Sequence, residues 1–213
     1  MIEIDCFTVG AFQVNTYLVK DVATGACAII DTGETDELVK RLQALQPAPD
    51  VQMILLTHAH LDHAGALVSL QQAFDVPTYL PRLEIPLFET LPKQGTWFGA
   101  PQMNRPCGRI DHLVDDGDII QLGETKLHFI STPGHTPGQG CYYDQEHIFV
   151  GDTIFAGSVG RTDLPMSDPD LAQKSLMKLM GLSSKLRVYS GHGPVTTLAE
   201  ERTNNPFLRF LRQ

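Results

Sequence analysis

An apolar run, Met53-Ile54-Leu55-Leu56, leads directly into Thr57-His58-Ala59-His60-Leu61-Asp62-His63. The run reads as a buried strand, which puts four ligand-type side chains on the turn at its carboxyl end. Alternate residues of an extended turn point the same way, so His58 and His60 can grip one ion together. Asp62 and His63 then face an adjacent position suited to a second ion. Neutral imidazole and carboxylate are the usual ligands of zinc-like divalent cations.

Single ligand-type residues recur downstream, each beside glycine at the expected end of a strand. They are His135 in Pro133-Gly134-His135-Thr136-Pro137-Gly138, Asp152 in Gly151-Asp152-Thr153, and His192 in Gly191-His192-Gly193-Pro194. His58, His60 and His135 complete one site, Asp62, His63 and His192 a second, and Asp152 can bridge both ions with its two oxygens. His112, His128 and His147 lack this setting and read as structural or surface residues. Two cations roughly 3.5 to 4 Å apart can share a water, lower its pKa and present hydroxide to a carbonyl, so the expected reaction class is hydrolysis. Asp62, between two ligands, is expected to orient that hydroxide. Asp31 ends another strand and is either a partner for a ligand imidazole or a strand-to-helix cap.

With 213 residues and 42% hydrophobic content the chain can bury a full core, and residues 1–213 are expected to form a single domain. The net charge of −9 argues against a nucleic-acid partner and for a small-molecule substrate. No apolar run is long enough to span a membrane, and no secretion signal opens the chain, so a soluble cytoplasmic protein is expected. Cys6, Cys27, Cys107 and Cys141 show no paired spacing and read as reduced thiols.

Strands are expected over 2–9, 16–19, 27–30, 51–56, 77–80, 126–130, 140–143, 147–150 and 187–189, with Ile119-Ile120 as a further short one. Leu38, Leu42 and Leu45 predict a helix closed by Pro47 and Pro49, Leu67, Leu70 and Phe74 one over 63–74, and Leu171, Ser175, Leu176 and Leu179 another. Residues 91–109, with Trp97, read as a long loop, either a surface excursion or a cover for the substrate. The pattern suits an α/β protein of two sheets packed face to face with helices outside.

At these residues the chain resembles the metallo-β-lactamase superfamily, whose HxHxDH motif appears as His58 to His63 and whose later elements appear as His135, Asp152 and His192. The resemblance implies an αβ/βα four-layer sandwich of two mixed β-sheets, with a dinuclear site at one edge. Asp152 is unlike true β-lactamases and like the hydrolases of thioesters, lactones and phosphodiesters. Gly160-Arg161-Thr162-Asp163-Leu164-Pro165, with Gly191 to Thr197 and Glu201 to Phe207, is similar to the short glyoxalase II-like hydrolases of bacteria. That implies cleavage of S-lactoylglutathione to D-lactate and glutathione, with two divalent ions, zinc in the first instance and iron or manganese as alternatives. Arg161 is then either a substrate-binding cation or a loop residue paired with Asp163. A separate carboxy-terminal helical domain is not expected, so its glutathione contacts are not carried over; Lys93, Arg105 and Arg109 are candidate substitutes. A persulfide dioxygenase using one iron on His58, His135 and Asp152, and a lactone hydrolase, are the competing activities.

Overall fold

The computed structural model describes residues 1–212. The first sheet contains β1 (Ile2–Val9), β2 (Val14–Asp21), β3 (Ala26–Ile30), β4 (Asp50–Leu55), β5 (Thr78–Pro81) and β6 (His112–Val114). Its strands lie in sequence order, antiparallel as far as β3 and parallel from there on. The second sheet has the order β14-β13-β10-β9-β8-β7. These strands are β7 (Ile119–Leu122), β8 (Thr125–Ser131), β9 (Gly140–Tyr143), β10 (His147–Gly151), β13 (Arg187–Ser190) and β14 (Thr196–Thr197). A small hairpin, β11 (Ile154–Phe155) with β12 (Ser158–Val159), stands apart from both.

Period-two alternation builds the layers. On β3, Ala28 and Ile30 face the other sheet, where they join Leu55, Leu127, Phe129, Phe149 and Tyr189 in the central core. Cys27 and Ile29 face outward, against α1 (Glu37–Gln43), α2 (Leu61–Ala64), α3 (Leu67–Phe74), α4 (Ile85–Phe88) and α5 (Leu91–Trp97). On β10, Phe149 points inward, while Ile148 and Val150 meet α6 (Pro169–Met180) and α7 (Leu198–Asn204). Helix, sheet, sheet, helix is therefore the order of layers. Each fully buried Leu or Ile contributes about 1.5–3 kcal/mol.

Strand directions gather the functional loops. β8 and β10 both run antiparallel to β9, so they point the same way, and β13 runs parallel to β10. The loops after β8, β10 and β13 consequently leave the second sheet at one edge, and those after the parallel β3 and β4 leave the first sheet together. Across the gap, Tyr142 Oη donates to the Leu56 carbonyl at 2.9 Å and the Gly140 amide to that of Thr57 at 3.1 Å. Asn15 Nδ2 donates to the carbonyls of Ser190 and Gly193, and Tyr17 Oη to Ser190 at 2.6 Å.

Two expectations need correction. The helix over 63–74 is two helices, because Gly65 and Ala66 fall between α2 and α3. The stretch 91–109 contains α5 and a short turn of tight helix, Pro101–Met103. Leu91 and Gln94 are buried there, so tertiary contact overrides a weak helical signal that includes Pro92 and Gly95. Among the described residues no helix is long and apolar enough to cross a membrane.

Candidate metal centre

The turn after β4 carries His58 and His60, the latter on extended backbone, and α2 then begins, with Asp62 and His63 in its one turn. The loops after β8, β10 and β13 add His135, Asp152 and His192. All seven meet. The ligand-capable atoms of His58, His60 and His135 form one close group, and those of Asp62, His63 and His192 another. Asp152 lies between them. Its Oδ1 is 3.3 Å from His63 Nε2, and its Oδ2 is 3.6 Å from both His135 Nε2 and His192 Nε2. Asp62 Oδ2 stands 3.2 Å from His192 Nε2.

Polar contacts behind the cluster aim each ring. Asp31 Oδ2 accepts from His63 Nδ1 at 2.8 Å, leaving Nε2 to face the cluster. The same oxygen accepts the Thr57 hydroxyl at 2.8 Å, and Thr57 Oγ1 lies 3.1 Å from His58 Nδ1. His135 Nδ1 donates to the Arg161 carbonyl at 2.7 Å. Of the two readings of Asp31, the partner of an imidazole is the observed one, since α1 starts later, behind Asp36.

Glu84 does comparable work for the backbone and had no signal beyond a lone acid in the apolar stretch Leu83-Glu84-Ile85. Fully buried, it accepts the Ala59 amide at 2.8 Å and the Gly138 amide at 2.6 Å, tying the His58–His60 turn to the His135 loop. Gln94 Nε2 donates to the carbonyl of the same Ala59 at 2.9 Å. Burial pushes the Glu84 carboxyl up to about 7.

The electrostatics divide the cluster. Burial, reinforced by neighbouring imidazoles, holds His58 well below its ordinary value and His60 at about 3. Burial also opposes charge on His63, but Asp152, Asp62 and Asp31 outweigh it and keep that ring well above its usual value. Asp152 is lowered against the effect of burial, chiefly by His63.

The donor set fits divalent cations. His58 Nε2, His60 Nε2, His63 Nε2 and Asp152 Oδ1 are buried without a hydrogen-bond partner among the described residues. Buried polar atoms are rarely left so, and those of His58, His63 and Asp152, which form one close group, are what ligands deprived of an ion look like. His60 Nδ1 and His135 Nε2 are also only 2.9 Å apart.

The remaining candidates sort clearly. His112 stacks on Tyr79, His128 lies against Tyr143 and His147 contacts Asp144, all outside the cluster. Arg161 lines the cavity beside the cluster, with its guanidinium held by both oxygens of Asp163 at 2.6 and 2.8 Å. Arg105 donates to the Glu34 carbonyl and Arg109 pairs with Asp111, so neither takes the place of a cation in that cavity; Lys93 does not line it. Phe98, just past α5, does line it.

The profile of the metallo-beta-lactamase superfamily matches residues 9–192, a span that includes all seven clustered side chains. The chain belongs to this superfamily. Hydroxyacylglutathione hydrolase GloC of Haemophilus influenzae is 35% identical over 216 residues, covering 97% of this chain and 98% of that protein. The structure of TTHA1623 in a di-iron-bound form superposes with a TM-score of 0.85 at 37% identity, over 96% of this chain and all of that one. BLEG-1 B3 metallo-beta-lactamase gives a TM-score of 0.86 at 33% identity, over 97% and 99% of the two chains. As a metallo-beta-lactamase superfamily protein of this set, the chain is a metallohydrolase whose cluster implies divalent metals.

Proposed function

We propose that the protein hydrolyses a thioester, S-lactoylglutathione in the first instance, to D-lactate and glutathione. The observation that carries this is the seven-residue cluster, with its unpartnered Nε2 atoms, at the floor of a cavity of about 290 Å³. The resemblance to GloC over nearly its whole length supports the choice of substrate.

His58, His60 and His135 would hold one ion, Asp62, His63 and His192 the other, with Asp152 shared. Bound there, two divalent ions polarise a carbonyl and lower the pKa of water; zinc suits the nitrogen-rich set, and iron or manganese also fit. The chain's own residues do the rest. Asp62 lines the cavity, and its carboxylate can accept a proton from an attacking water and orient it toward the scissile carbon. Water adds to the carbonyl carbon, the carbon–sulfur bond breaks, and the sulfur leaves as thiolate, which needs little help from an acid. Asp31 and the Arg161 carbonyl keep His63 and His135 in the tautomer that presents Nε2. The four cysteines are free thiols, which suits a cytoplasmic protein.

Loss of thioester absorbance on S-lactoylglutathione by metal-loaded protein tests the reading. Turnover at ordinary enzyme rates supports it. Oxygen uptake on glutathione persulfide with one iron per chain, or turnover of lactones alone, would replace it.

A further inference from the structure

The cavity beside the cluster is built from apolar side chains. Phe12 enters from the β1–β2 turn, Phe98 from the end of α5, Phe155 and Val159 from the β11–β12 hairpin, and Leu164 from the loop that follows. Phe12 and Phe98 meet edge to face with centroids 6.0 Å apart, and Phe155 stands edge-on to the His192 ring at 5.9 Å. Phe98 remains 44% exposed. An aromatic side chain left open at the mouth of a cavity gains its apolar contact only when something covers it.

Charge is nearly absent from the same walls. Beyond the cluster, Arg161 is the one cation among the described residues lining the cavity, and Asp163 takes its Nε and one of its two terminal nitrogens. An anionic group of a substrate would have to share that cation with a carboxylate that already offsets its charge, and the chain's net charge of −9 adds no attraction.

Resting on the thioester reading above but not on its lactoyl group, we infer that this cavity is an apolar subsite: the preferred substrates carry an aromatic or branched aliphatic group next to the scissile bond, and anionic groups on the thiol add little. Glutathione is then one acceptable thiol among several, and selectivity lies in the group seated among Phe12, Phe98 and Phe155.

The test compares, on metal-loaded protein, lactoyl and phenylacetyl thioesters of the uncharged thiol N-acetylcysteamine, together with S-lactoylglutathione. The phenylacetyl ester should exceed the lactoyl ester about tenfold or more in kcat/KM, through KM, since filling an apolar pocket discriminates on that scale. S-lactoylglutathione should lie within about threefold of its N-acetylcysteamine counterpart. Phe98→Ala should cut the phenylacetyl preference below about threefold, and Phe98→Leu should restore most of it. In parallel, calorimetric titration should show phenylacetate binding about tenfold more tightly than lactate, an advantage lost in Phe98→Ala. Equal kcat/KM for the two acyl groups, a tenfold advantage for glutathione, or a preference untouched by Phe98→Ala overturns the subsite. If no thioester is turned over, the reaction assignment falls, and the titration still decides the subsite by whether phenylacetate outbinds lactate.

Discussion

Asp31 and His63 are joined by a 2.8 Å contact between Oδ2 and Nδ1, buried on both sides, and the same oxygen anchors Thr57. One carboxylate thus orients a ring at the second group of the cluster and, through Thr57, a ring at the first. Asp31→Asn puts an amide where an acceptor is needed. Chelator competition should show a roughly 10–100-fold loss of metal affinity, the usual effect of removing a partner behind a ligand imidazole. Unchanged affinity would show that His63 needs no such partner.

Gly191 borders the cluster closely enough that a Cβ there would fall 2.5 Å from His63 Cε1 and against Asp152 Oδ1. Gly191→Ala should therefore lower metal affinity about tenfold or more, because the intruding methyl must push ligands apart at a cost of about 1–3 kcal/mol. Equilibrium dialysis against a buffered metal checks this. Wild-type affinity in the alanine variant would mean that the space is not required.

Glu84 offers a prediction in pH. Its carboxyl titrates near 4.5 when unfolded and about 7 when folded, so the native state binds more protons between those values. The stability it contributes is full below about pH 4.5 and is lost as pH rises through 7. Glu84→Gln has no such titration. In urea unfolding of the metal-free proteins, wild type minus variant should shrink by on the order of 3 kcal/mol between pH 4.5 and 8. A difference that stays constant with pH would contradict the buried, proton-binding carboxyl.

What could be read in advance follows from how each feature is encoded. Met53 to His63 places an apolar strand and four ligand-type residues in one continuous stretch, β3 is an unbroken apolar run, and α1 and α6 repeat their leucines at near-helical spacing. The meeting of His135, Asp152 and His192 with the first cluster was legible because each follows a strand and sits beside glycine. Glu84 was not, since its partners are the backbone amides of Ala59 and Gly138, and an amide leaves no trace in residue type. β11, β12 and β14 are two residues each, too short for any period. The stretch 91–109 looked like loop because the buried Gln94, which fixes α5 on Ala59, is indistinguishable in sequence from a surface glutamine.

One rim of the sandwich is expected to hold two divalent ions, with Asp152 common to both. Elemental analysis after dialysis against metal tests it most directly, using wild type, Asp152→Ala and His112→Ala. Two ions per chain are expected for wild type and His112→Ala and fewer than two for Asp152→Ala. Two ions retained by Asp152→Ala, or fewer than two in wild type, would contradict it.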